Sequence, residues 1–334
     1  MSRLTAIYEI KLPSGLRAQR AEDDELSYRV SIGHFDVEVI LLRNGGASLK
    51  AINDQHATKL IEKIQLRVVR DEESEPPPAP RTKSGGEDFG ARSQWFGERR
   101  NDYAQTALTI LNRLIRFFKF RMKSPGLHEF NGYEDCFMNP IWRDKNGESL
   151  QPGILELSGR IINAPGPALL GEQAFTAADD SNFEECLVAG IIPETYQEFL
   201  SDAQTSARAG NLPRAILEIA VACEVAVKQL FFGAGAVATS AFDYLEDKGR
   251  INIRVIELLG GVAKHTFGES FKEANLDAFL DIDFLFRCRN KVAHKGELSF
   301  RDDSGTKHEV NRETLERWWA SIGELMRWIE LRKS

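Results

Sequence analysis

Cysteine is scarce in this chain of 334 residues: the four present, Cys136, Cys186, Cys223 and Cys288, are never closer than 37 positions. Such spacing excludes a close-set zinc or redox pair and a small disulfide scaffold, and suits reduced thiols that pack. Long apolar runs are missing too. The most apolar stretch, residues 215–238, is interrupted by Glu218, Glu224, Lys228 and Gln229, so it reads as a buried helix rather than a span of some 30 Å of hydrocarbon. Glu9 and Lys11 sit where a signal peptide needs its apolar core, so the expected location is cytoplasmic, with no membrane partner. An excess of positive charge is also lacking: the formal net charge is -7, and any nucleic-acid site must be local. Gly260-Gly261 and Gly233-x-Gly235 precede no Gly-Lys-Ser or Gly-Lys-Thr, so they are helix breaks and not phosphate loops, and no cofactor is expected.

What is present divides the chain into four parts. Residues 1–70 alternate apolar and polar, as at Ala6, Tyr8 and Ile10, at Tyr28, Val30 and Ile32, and at Val37, Val39 and Leu41, which predicts half-buried strands. Asn44-Gly45-Gly46 predicts a turn, 54–63 a short helix, and Ile64 to Val69 a further strand. Residues 71–98 read as an acidic, proline-rich flexible linker: between Asp71 and Gly90 there are six acids, two bases and four of the 12 prolines. Residues 99–190 hold a basic amphipathic helix, with Ala107, Leu108, Leu111, Leu114, Ile115, Phe118 and Met122 at helical spacing. It is expected to pack on the β-rich part; strands at 154–157 and 160–162 follow in a mixed, turn-rich segment. Residues 191–334 read as an antiparallel helical bundle, with Pro193 and Pro213 opening helices and further helices at about 240–247, 252–264, 269–294 and 311–331. The fold class is therefore α+β.

Chemistry concentrates in one place. From Arg287 to Lys295 the chain carries Arg287, Arg289, Lys291, Lys295 and His294 with no acid, the densest positive charge in an acidic protein. Histidine can move protons near neutral pH, and arginine offers a permanent cation with a planar fork of donors for phosphate oxygens. At 100° per residue, Arg287, Asn290 and His294 share one face of a helix, whereas Arg289 lies about 140° from His294. Either the helix bends near Asn290, or a two-fold mate completes the site, or Arg287 is the working cation. The same residues also fit a solvated basic end that favours the helix dipole. Glu218 and Glu224, among apolar neighbours, need partners; one can meet Arg289 across the bundle, or Glu224 can pair locally with Lys228 while Glu218 faces solvent. The acidic row Asp277, Asp281 and Asp283 has no oxygen-rich turn beside it, so no metal is expected. On the last helix Leu315, Trp319, Ile322, Met326 and Ile329 form an apolar stripe, widened by Trp318, Leu325 and Trp328, part of which suits a subunit interface.

Arg289-Asn290 with His294, at the end of an apolar helix and after the alanine-rich helix Arg214 to Leu230, resembles the HEPN superfamily over residues 193–334. The resemblance implies a bundle of four or five helices, a homodimer and, in many members, metal-independent cleavage of RNA. It casts Arg289, Asn290 and His294 as catalytic, with Arg287, Lys291 and Lys295 on the RNA and Glu218 and Glu224 in support. Lys295 and Gly296 stand where some members carry a modified tyrosine. The expectation is an endoribonuclease of a toxin or antiviral defence kind, controlled by an N-terminal sensing region of unassigned ligand or protein partner. The alternative is a non-catalytic HEPN-like interaction or RNA-binding module, since the bundle carries 19 bases against 22 acids.

Overall fold

The computed structural model describes residues 2–18, 25–44, 59–77, 89–124, 126–137, 139–150, 160–161, 173–233 and 254–333. The fold is α+β, with an N-terminal antiparallel sheet and a mostly helical C-terminal region. The chain forms two compact units, one of Met1–Pro167 with Gln173–Ile192 and one of Ala168–Glu172 with Pro193–Ser334. Among the described residues no helix is long and apolar enough to cross a membrane.

In the N-terminal unit β1 (Ser2–Ala18), β2 (Glu25–Ile32), β3 (Phe35–Asn44), β4 (Lys59–Glu72) and β5 (Ile141–Arg143) order as β2-β3-β4-β1-β5; β6 (Arg160–Ile161) pairs parallel to β1. Period-two alternation gives the sheet one apolar face, with Leu4, Ala6, Tyr8 and Ile10 beside Ile64, Leu66 and Val68, then Val37, Val39 and Leu41, then Leu26, Tyr28 and Val30. Helix α1 (Phe89–Arg116), extended by one π turn at Phe117–Arg121, lays its apolar row Ala107, Leu108, Leu111, Leu114, Ile115 and Phe118 into that same core. Arg113 and Arg116 on its flank reach the end of α2 (Asp180–Ala189), where they donate to the carbonyls of Leu187, Val188 and Ile191.

Two expectations need correction here. Residues 59–63 belong to β4 rather than to a short helix, while residues 54–58 lie outside the described residues. Ile61 and Ile64 are three apart, as in a helix, yet both are buried because the ladder shifts register at Glu62, and the bulge returns Ile61 to the core face. The 71–98 segment is not all linker: β4 runs to Glu72 and α1 starts at Phe89, with Trp95 and Phe96 buried in the core; residues 78–88 lie outside the described residues. The expected turn at 44–46 and the strand at 154–157 lie largely or wholly outside the described residues; β2 and β3 are joined by a described tight turn at Gly33-His34, with Gly33 at φ +57.

In the C-terminal unit α3 (Thr195–Arg208) and α4 (Leu212–Phe232) form a hairpin; short helical segments lie between Val255 and Ala274; α5 (Leu276–Lys295) and α6 (Arg312–Lys333) complete the bundle. Pro193 precedes α3 rather than opening it, because Glu194 caps the helix through a reciprocal contact with Gln197. Pro213 does open α4, with Asn211 accepting from the Arg214 amide at 3.3 Å. The helix expected over 269–294 is two: Asn275 is extended at φ -153 and ψ 90, and its side chain caps α5 by accepting from the Ala278 amide at 3.1 Å. Gly260, at φ -96 and ψ -105, interrupts the 252–264 helix as a π turn. The helix at 240–247 lies outside the described residues. A two-stranded hairpin, β7 (Ser299–Arg301) and β8 (Lys307–Glu309), links α5 to α6 and is not among the expected elements. The α6 stripe is largely used within the unit: Leu315, Trp318, Ile322, Leu325, Trp328 and Ile329 are buried and Trp319 and Met326 half-buried.

Candidate functional site

The candidate site is the C-terminal half of α5. Ala278, Ile282, Leu285, Cys288 and Val292 bury its inner face, which dictates where the polar residues between them point. The helix is one uninterrupted α-helix to Lys295 and ends on Gly296 in the left-handed conformation at φ +68, with His294 and Lys295 in its last turn beside the free carbonyls. A bend near Asn290 is therefore ruled out, and Arg289 and His294 diverge by about 140°.

Arg287 is occupied. Its guanidinium donates to Asp283 Oδ2 at 2.5 Å, to Asp303 Oδ1 at 2.7 Å and to the Arg301 carbonyl at 3.1 Å. Its hydrogen bond to Asp303 outweighs partial desolvation and, with that to Asp283, raises its pKa above the ordinary arginine value. This residue ties α5 to the β7–β8 hairpin, which removes it as the substitute cation. Lys291 is half-buried and donates to Ser299 Oγ at 3.3 Å, a second tie to the hairpin.

Arg289, Asn290, His294 and Lys295 are in a different state. Among the described residues the Arg289 guanidinium bonds Asn290 Oδ1 alone, at 3.1 Å. Asn290, His294 and Lys295 are exposed, and no ion pair among the described residues engages His294 or Lys295. One arginine, its orienting amide and one imidazole thus stand at the end of a rigid element with open donors.

Glu218 and Glu224 do not support Arg289. Glu218 accepts from Arg214 Nε and from Ser206 Oγ, both at 2.7 Å, so it neither reaches across the bundle nor stands unpaired in solvent. Glu224 pairs locally with Lys228 at 3.2 Å. The acidic row does not converge on one point: Asp281 holds Arg317 Nε at 3.0 Å and Ser321 Oγ at 2.8 Å, while Asp283 faces Arg287. Among the described residues no three His, Cys, Asp or Glu side chains cluster as metal ligands.

A second histidine has a defined setting. His308 Nε2 lies 2.8 Å from Asp302 Oδ2, and its ring stacks on Phe300 at 5.0 Å, which in turn stacks on Phe284 at 4.8 Å. Hydrogen bonds from Ser304 and His308 and from the Thr306 amide lower the Asp302 carboxyl to about 2. His308 and Arg317 line one cleft of about 690 Å³ between α5, α6 and the hairpin, together with Asp277, Asp281, Asp302 and Glu324. Four carboxylates against one guanidinium repel a phosphodiester, so this histidine does not replace His294. Its hairpin was legible in Asp302-Asp303-Ser304-Gly305, which is turn chemistry.

In the N-terminal unit the organised polar group is Glu72, 5% exposed at the end of β4. Arg70 Nε donates to it at 2.8 Å, Arg99 Nε at 2.9 Å and the Tyr103 hydroxyl at 2.9 Å. Burial raises the carboxyl, but these donors outweigh it and hold Glu72 below the usual glutamate range. The cluster fastens α1 to the sheet beside a depression of about 610 Å³ that Arg3, His34, Asp36 and Arg99 also line.

Compared with protein-family models, with curated proteins and with solved structures, the chain finds no match.

Proposed function

We propose that the C-terminal unit is a HEPN-like, metal-independent endoribonuclease that acts as a homodimer, a cytoplasmic toxin or defence effector whose N-terminal unit senses a ligand or protein. The observation that carries the reading is the contrast along α5: Arg287 is bound in ion pairs, whereas among the described residues Arg289 bonds only Asn290, and His294 stands exposed. In this reading His294 moves the proton of the attacking 2′-hydroxyl or of the leaving oxygen, for roughly 100- to 10,000-fold in rate. Arg289 neutralises charge gathering on phosphorus, Asn290 orients its guanidinium, and Lys295 draws in the backbone, with Lys291 behind it. Because Arg289 and His294 diverge on one straight helix, the imidazole of one chain and the guanidinium of the other meet across a two-fold axis.

The test uses the full chain, labelled RNA and a chelator. Cleavage is expected, and His294→Ala is expected to lose at least about 100-fold. Cleavage that persists in that variant, or that stops on adding chelator, refutes the mechanism. A second reading, a non-catalytic RNA-binding or interaction module, draws on that same divergence and on the net charge of -3 over residues 193–334; RNA retained but left intact across pH 5 to 9 would establish it.

A further inference from the structure

We infer that β2 is an open pairing edge through which a second copy of this chain continues the sheet of the N-terminal unit, with Ser27 on the two-fold axis. The inference does not depend on the reading of α5.

Strand β2 ends the described sheet, and its only partner there is β3. Gly33 and His34 form a two-residue turn closed by Ile32 and Phe35, so that closing pair is hydrogen-bonded. By alternation Leu26, Tyr28 and Val30 also direct N–H and C=O toward β3. Glu25, Ser27, Arg29 and Ser31 direct theirs to the outer edge, and all four are exposed. Natural edges are blunted by proline, by charged side chains and lysine above all, by a bulge, by shortness or by a covering helix or loop, and the charges here, Glu25 and Arg29, are of opposite sign. This one has eight residues, none of them proline or lysine, and an unbroken register with β3.

The exposed residues select both partner and register. Antiparallel pairing sets outward-facing residues opposite one another, so a two-fold passes through an outward residue or midway between two of them. Centred on Ser27, it places Glu25 opposite Arg29 of the partner subunit twice over, with about six main-chain hydrogen bonds between Glu25 and Arg29. Centred on Tyr28 it sets Arg29 against serine, and centred on Arg29 it sets two guanidinium groups together. Arg29 is able to take a second carboxylate: its Nε and one Nη donate to Glu38 within its own sheet, the other Nη is not used there, and its side chain is 84% exposed. The edge is self-complementary in one register, as a contact between identical copies requires.

The experiment is oxidative crosslinking of the full chain bearing Ser27→Cys. The pair on the axis places its Cα atoms about 5.5 Å apart, within disulfide reach. The four native thiols are buried, so the introduced one is the exposed thiol. The control is Ser31→Cys, whose copies fall about 27 Å apart in this register. A covalent dimer on a non-reducing gel, at least tenfold more abundant for Ser27→Cys than for Ser31→Cys, is the expected result. Added to Ser27→Cys, Arg29→Glu should reduce the dimer at least tenfold, and Glu25→Arg together with Arg29→Glu should restore it. No crosslink at Ser27→Cys, equal crosslinking at both positions, or indifference to Arg29→Glu overturns the inference. If α5 also pairs, two different two-folds link chains into tetramers or longer arrays, so the site of crosslinking decides and not the mass.

Discussion

Mixing two variants, each expected to be inactive, tests the proposed shared site on α5 quantitatively. Arg289 and His294 are five residues apart on a regular helix, which sets their Cβ atoms about 10 Å apart and points them about 140° away from each other. In the proposed reading, a phosphodiester gripped by both groups lies between two chains. Arg289→Ala and His294→Ala, each alone, are expected to lose at least about 100-fold in cleavage rate. Mixed in equal amounts under conditions of free subunit exchange, half the dimers are hybrid. Each hybrid has one site with both residues intact and one with neither, so the mixture should recover about one quarter of the wild-type rate, and a hybrid purified on two tags about one half. The assay is initial-rate cleavage of a fluorogenic RNA in chelator, with exchange verified by the tags. A mixture no faster than either variant refutes a site shared between chains. Full activity in either single variant refutes the assignment of that residue.

Glu72→Gln should destabilise the N-terminal unit by about 2–4 kcal/mol, because an amide cannot accept from both arginines and Tyr103 while its NH₂ faces donors. In calorimetry this is a fall of about 4–16 °C in the Tm of that unit, and a change under 0.5 kcal/mol would show that the cluster contributes little. The native carboxyl lies below its usual range, so the wild-type advantage is present above about pH 4.3, the unfolded value, and fades as pH falls through the depressed native one. Asp302 should behave in the same sense within its hairpin: the Ser304 and Thr306 amides, followed by NMR, should keep their shifts down to about pH 3 and lose them as the carboxyl protonates near 2. Burial pushes the thiols of Cys186 and Cys288 up to about 11 and that of Cys223 to about 12, so none should react with a disulfide reagent at pH 8 until the chain is unfolded; rapid labelling of the native protein would contradict this burial.

Much of the architecture was legible because local patterns suffice for it. Alternation at Ala6, Tyr8 and Ile10 marked a strand, and 3.6-residue spacing from Ala107 to Met122 marked α1, since each places its apolar atoms on one side whatever the partner. The failures have specific causes. Residues 59–63 read as the end of a short helix, and only the pairing of β4 with both β1 and β3, through the bulge at Glu62, makes them the start of the strand that continues from Ile64. Acids and prolines dominate the composition of 71–98, but Glu72 is neutralised by arginines from β4 and α1, one of them 27 residues away in sequence. Asn275 breaks what reads as one helix because its side chain caps the next.

For the candidate site the division is sharper. Sequence alone determined that one short stretch gathers the cations and the histidine, and that they end an apolar helix, because charge density and hydrophobic period are properties of neighbours in the chain. It could not distinguish Arg287 from Arg289, nor assign partners to Glu218. Those choices depend on Asp303 and Ser206, and residues 12 to 16 positions away become neighbours only when the hairpin folds back and α3 meets α4. Tertiary structure decided which charges are spent on holding the fold and which are left facing water, since an ion pair forms wherever the packed backbone brings opposite charges within about 4 Å.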